Sequence, residues 1–239
     1  DGESPPIWGY DGSSTQQATG DNSDVVLKPV LTVPDPIRGG ANVIVMTETL
    51  LTDMSPHPSN TRAACEASSD KYSQFDTWFG IEQEYTFFQG NTPLGWPSTG
   101  FPAPQGDYYC GVGADVIFGR DIVEEHMDAC IAAGLHIAGI NAEVMPGQWE
   151  FQIGAIITPQ VGDELWIARW LLSRIAEDYD VTVSLAAKPV PGDWNGAGAH
   201  TNFSTNQMRE NYAACVAAAE ARGKTEALHI ANYGAGIED

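Results

Sequence analysis

The chain has 239 residues, 43% of them hydrophobic and 18% charged, so it can bury a core and is not intrinsically disordered. Its 32 acidic residues against 11 basic ones leave a net charge of −21, which excludes the basic footprint that a nucleic-acid partner requires. No run of about 18 or more apolar residues occurs, so neither a transmembrane helix nor a membrane partner is expected.

The opening residues, Asp1-Gly2-Glu3-Ser4-Pro5-Pro6, read as neither signal nor transit peptide. Asp11-Gly12-Ser13-Ser14-Thr15 is turn chemistry, with short oxygen-bearing side chains beside a glycine. Val25-Val26-Leu27 and Val43-Ile44-Val45-Met46 are strand-like, and Pro29, Pro34 and Pro36 punctuate the stretch between them. A boundary is expected near Pro56-His57-Pro58, then a helix over Thr61–Tyr72 and a strand over Thr77–Phe88. Residues 90–106 hold four glycines and four prolines and predict a long irregular loop of functional character. Helices are expected over Asp121–Ala133, Gly162–Asp178 and Asn206–Arg222, with strands at Val144–Ile153 and Val181–Ala187. Alternation of this kind suits an α+β or an α/β barrel-like sheet. Val123, Met127 and Cys130 read as core. Cys65, Cys110, Cys130 and Cys215 are far apart and lack metal or disulfide spacing, so buried thiols in a reducing cytoplasm are expected. The acid excess also fits a high-salt cytoplasm, where self-repulsion is screened.

The chemistry concentrates in two stretches, Glu82-Gln83-Glu84 and Asn141–Glu150. Alternation along a strand puts Glu82 and Glu84 on one face and Ile81, Tyr85 and Phe87 on the other. Glu150 shares its face with Gln152, and Trp149, Phe151 and Ile153 point away. Such pairs usually mark the solvated face of an antiparallel sheet. With Glu143 close by in sequence, however, the carboxylates repel unless a cation or proton lies between them. After a glycine-rich turn, His200, Asn202 and Ser204 share one face of a further strand. The pattern predicts an acidic cavity for hard cations such as Mg²⁺ or Mn²⁺, which prefer carboxylate oxygen.

The blocks Asn141–Gly154 and Lys188–Thr205 resemble signature blocks of glutamine synthetase, type II. Trp78–Thr86, Gly106–Asp115 and Asp11–Thr15 match as well, and the resemblance runs in order from about Trp8 to the end. It implies a curved antiparallel sheet with helices as a partial barrel over 58–239, and the carboxy-terminal part of a small β-grasp domain over 1–57. The implied reaction joins ammonium to the γ-carboxylate of L-glutamate with ATP, through γ-glutamyl phosphate. By resemblance, Glu84, Glu143 and Glu150 hold one metal, and Glu82 and His200 hold a second. Asn195 and Gly196 bind glutamate, and Trp78, Asn202, Ser204 and Arg209 line the nucleotide side. Asp11, Ser14 and Tyr109 form the ammonium site, with the Asp11 loop supplied by a neighbouring subunit in a homo-oligomer of two pentameric rings, a decamer.

Departures from the family are Gly147 and Ala199, together with the absence after Asp239 of the blocks carrying the arginines, the flap glutamate and the last metal carboxylate. The expectation is that these residues are part of a longer enzyme. A glutamate–amine ligase of the same fold, a non-catalytic structural or regulatory relative and a two-metal hydrolase stand as rivals.

Overall fold

The computed structural model describes residues 5–234; the readings that rest on residues 1–4 and 235–239 lie outside them. Two antiparallel sheets carry the fold. In the first, β1 (Trp8–Asp11), β2 (Asp24–Pro34) and β3 (Val43–Leu50) lie in the order β1-β2-β3. A 3₁₀ turn over Gly12–Thr15 follows β1, capped by the Asp11 side chain.

The second sheet is built on β4 (Trp78–Gln89). One edge of β4 pairs with β7 (Gln148–Ile156), which in turn pairs with β6 (Ile137–Ala142). Its other edge is shared by β8 (Thr182–Ser184) and β9 (Ala199–Ser204), and β5 (Thr92–Pro93) closes a hairpin. Every pairing is antiparallel, which decides for α+β against a parallel α/β barrel.

Tyr85 and Phe87 of β4 and Trp149, Phe151 and Ile153 of β7 are fully buried, as the alternation predicts. Helices α2 (Arg120–Ala132) and α3 (Gln160–Glu177) cover that face, burying Ile122, Val123, Cys130, Leu165, Ala168, Leu172 and Ile175. Leu31, Ile44 and Met46 of the small sheet pack on the same core. Helix α1 (Thr61–Lys71) joins the sheets: Arg62 grips Asp163 of α3 at 2.9 Å and lies 3.7 Å from Glu48 of β3.

Several expectations need correction. The strand predicted from Val144 begins at Gln148, because Pro146 has no amide hydrogen and Gly147 turns the chain at φ +78°. Strand β6 escapes the pattern because Gly139 interrupts it. The expected helix Asn206–Arg222 is split into α4 (Asn206–Glu210) and α5 (Tyr212–Gly223). Between them Asn211 is extended, and its side chain accepts from Ala213 N. A short α6 (Glu226–Ile230) follows. Cys65 and Cys110 are exposed and only Cys130 is buried, so the uniform reading of buried thiols does not hold.

Candidate active site

The face of the large sheet opposite the core is arranged in rungs. Thr86 pairs with Gln148, Glu84 with Glu150 and Glu82 with Gln152 across β4 and β7. Asn141 of β6 lies beside Glu150, and His200 of β9 beside Glu82. Glu143 reaches the same place from the bend between β6 and β7. One carboxylate oxygen from each of Glu84, Glu143 and Glu150 lies within 4.8 Å of the other two.

Polar neighbours aim these groups. The Gly198 amide donates to Glu84, Gln152 donates to Glu150, and Asn141 donates to Glu143 at 3.2 Å. Asn202 donates to Glu82, and His200 Nδ1 is 3.5 Å from the Glu82 carboxylate. Burial, followed by the charges of Glu84 and Glu150, raises the pKa of Glu143. Burial likewise raises Glu150, with Glu82 and Glu84 adding to the effect. No lysine or arginine bonds to the trio among the described residues, so the donor set fits a hard divalent cation.

The loop bearing Tyr109 is stitched to both sides of Glu143: Cys110 N donates to Ala142 O and Gly106 N to Val144 O, each at 3.0 Å. Tyr109 is thereby held close enough for Glu143 and Glu150, after the adjacent Cys110, to raise its pKa. Farther along the face, the Arg209 guanidinium stacks 4.0 Å from the centre of the Trp78 ring and donates to Ser204 Oγ at 3.0 Å. Its other nitrogen donates to the Asp76 carbonyl at 2.8 Å and pairs with the Asp76 carboxylate.

The structure thus gathers Glu82, Glu84, Glu143, Glu150 and His200, with Tyr109 at one side and Trp78, Asn202, Ser204 and Arg209 along the strand ends. Asn195 and Gly196 lie on the loop leading into β9. Asp11 and Ser14 are not brought to this face. The Asp11 carboxylate accepts from the Ser13 hydroxyl and amide, which hold its pKa low, and among the described residues it bonds to neither Tyr109 nor the glutamates. Sequence reasoning missed Gln148, Gln105, Asn141 and Asp76. For Gln148 a signal existed, since it shares the strand parity of Glu150.

Gly147, expected to depart from the resembled family, is fixed by its φ of +78° and by a tertiary contact. A Cβ there would sit 2.5 Å from Leu94 O.

Residues 59–237 match the family "Glutamine synthetase, catalytic domain". The chain is 63% identical over 236 residues to a glutamine synthetase of Streptomyces viridochromogenes, covering 98% of this chain and 69% of that protein. It is 60% identical to one of Frankia alni, covering 100% and 68%. With a cytosolic isozyme of Vitis vinifera it shares 52% identity, covering 98% and 67%. A solved structure of GmaS in complex with ADP superposes with TM-score 0.68 at 16% identity, over 83% of this chain and 46% of that one, a likeness of fold alone. The antiparallel sheet, its acidic face and this run of relatives from bacteria and plants place one conclusion beyond the fold: the chain belongs to the glutamine synthetase family.

Proposed function

We infer that the protein is a glutamate–ammonia ligase, which forms L-glutamine from L-glutamate and ammonium at the expense of ATP. The observation that carries the reading is the carboxylate trio Glu84, Glu143 and Glu150, intact in a chain this similar to named glutamine synthetases. Retention of these groups disfavours a non-catalytic relative.

In this reading Glu84, Glu143 and Glu150 hold one divalent cation, Mg²⁺ or Mn²⁺, and Glu82 and His200 hold a second. Bound there, such cations would supply positive charge against the phosphate oxygens. Trp78 and Arg209 offer the nucleotide a flat aromatic and guanidinium surface, with Asn202 and Ser204 beside it. Asn195 and Gly196 hold glutamate so that its γ-carboxylate oxygen meets the γ-phosphorus of ATP. Transfer gives γ-glutamyl phosphate and ADP.

Ammonium binds between Asp11, Ser14 and Tyr109. The Asp11 carboxylate, its pKa lowered by the Ser13 hydroxyl and amide, stays ionised and attracts NH₄⁺; in this reading the proton passes to it as the nitrogen attacks, and phosphate leaves the acyl carbon. Asp11 and Ser14 lie away from the glutamate cluster within one chain. The site therefore requires a second copy, and a decamer of two five-membered rings satisfies this. Residues 1–57 act as the small domain that delivers the loop, and 58–239 as the catalytic domain. A cytoplasmic location suits the free thiols, and no helix among the described residues is long and apolar enough to cross a membrane.

Phosphate release from ATP and Mg²⁺, with glutamate and ammonium omitted in turn, tests the reading in the assembled protein. Release is expected only with both present. Release with another amine but not ammonium would overturn it.

A further inference from the structure

Gln148 belongs to none of the ligand sets above, yet it is 1% exposed and spends both ends of its amide on one loop. Its Nε2 donates to Gly196 O at 2.7 Å, and its Oε1 accepts from Asn195 Nδ2 at 3.0 Å. A second glutamine, Gln105, accepts from the Asn195 backbone amide at 3.0 Å. Trp194, the preceding residue, packs 4.6 Å from the Trp96 ring and stacks on Phe101 at 6.0 Å. The loop is therefore fixed from three directions.

The bonding pattern is directional. Gly196 O can only accept, so Gln148 must turn Nε2 toward it, which leaves Oε1 for Asn195. Asn195 is then obliged to spend its Nδ2 inside the protein. Its Oδ1 has no partner among the described residues. On the other side Gln148 is anchored in β7, on the same face as Glu150 and one rung along from the Glu84–Glu150 pair. One buried side chain therefore ties the strand of the carboxylates to the loop of Asn195 and Gly196.

We propose that Gln148 is a positioning residue for glutamate: it orients the Asn195 amide and sets the distance of Asn195 and Gly196 from the Glu84–Glu150 rung, with Gln105 as a second brace. This rests on the reading of Asn195 and Gly196 as the glutamate subsite. A glutamine that merely satisfied a turn would affect every ligand of the site alike. A positioning glutamine affects glutamate selectively.

The test uses the full-length assembled protein and three measurements: glutamate affinity by calorimetry with Mg²⁺ and a non-hydrolysable ATP analogue, KM for ATP and for glutamate, and Mn²⁺ titration. Gln148→Met keeps the volume and removes both polar atoms. Glutamate affinity should fall about tenfold, as expected for the loss of a buried bonding pair, with KM for ATP and Mn²⁺ affinity within about twofold of wild type. Gln105→Met, at a half-buried loop position where folding is not at risk, should shift glutamate affinity in the same direction by a smaller factor. The double variant Gln148→Met/Asn195→Ala should lose less than the sum of the two single losses, because the Asn195 amide is common to both. Equal losses for glutamate, ATP and Mn²⁺, additive effects in the double variant, or unchanged glutamate affinity in both glutamine variants would each overturn the proposal. A wild type that binds no glutamate would overturn the subsite reading and this proposal with it; wild-type binding with indifferent variants overturns this proposal alone.

Discussion

At the scale of single residues, Glu143 and Glu150 decide how the protein answers to pH and to metal. Both pKa values are raised in the fold, so the folded state binds their protons more tightly than the unfolded chain does. The stability they lend the ion-free protein is present at low pH and is lost as pH rises through the raised values. A divalent cation takes the place of those protons. The gain in Tm from Mg²⁺ should therefore be largest at neutral pH and shrink as pH falls through the raised values. Thermal scans with Mg²⁺ and with chelator across that range check this, and a pH-independent gain would contradict it. At neutral pH and about 100-fold excess over Kd, bound cation should add roughly 2.7 kcal/mol, most of which Glu143→Gln or Glu150→Gln should abolish. Gly147 is a different case. Any Cβ at φ +78° would meet the Leu94 carbonyl at 2.5 Å and its nitrogen at 3.0 Å, both backbone atoms. Gly147→Ala should cost about 1–3 kcal/mol in denaturant titration. The face shared by Glu82 and Glu84 was legible in the sequence because strand parity is local. That Glu143 joins them was legible only through the resembled motif and not through strand parity, since it reaches the cluster from a bend made by Pro146 and Gly147.

At the scale of elements, the main joint is Arg62 of α1. Its guanidinium makes a bidentate contact with Asp163 of α3 and also lies near Glu48 of β3, which further pairs with Lys28 at 2.8 Å and accepts from Asn60 Nδ2 at 3.2 Å. Both carboxylates are nearly inaccessible, so removing the arginine strands buried negative charge. Arg62→Met should destabilise the fold by about 3–5 kcal/mol in urea, and adding Asp163→Asn should recover part of the loss. Failure of the second substitution to recover any stability would show that the joint acts by packing alone. Helix α3 was legible because ten of its side chains are buried at helical spacing. The break at Asn211 was not, because an asparagine that caps a second helix looks in sequence like any polar residue on a helix surface.

At the scale of the molecule, acid stability is set in the core. His126 is wholly buried between the sheet and α3, with Nε2 bonded to Ala168 O at 2.9 Å, and burial pushes its pKa down to about 4. The imidazole folds neutral, so its contribution is present above the unfolded value of 6.5 and is lost as pH falls from 6.5 toward 4. The shift corresponds to roughly 3 kcal/mol across that window. His126→Phe should flatten the acid limb of the stability profile between about pH 6.5 and 4, even if it costs stability at pH 7. This runs opposite in sign to the two glutamates, and comparison with and without Mg²⁺ separates them, because His126 is present in both arms. The net charge of −21 makes a further demand. Melting temperature should rise between about 0.1 and 1 M monovalent salt as screening shortens the reach of self-repulsion. A flat salt curve would mean that the acids are already spaced or paired well enough not to matter.

The sequence by itself determined what depends on local chemistry: which strand residues share a face, where the main helices lie, and that carboxylates on one face call for a cation. Its motifs also carried the family. The antiparallel sheet that the resemblance implied is borne out, and only the tertiary structure decided that β6 completes the acidic face and that Gln148 binds the Asn195 loop. Asp11, at the end of β1, and Ser14, in the turn after it, stay with the small sheet and bond to none of the glutamates among the described residues. Those outcomes turn on pairing between segments far apart in the chain, where register and approach are set by packing of the whole core.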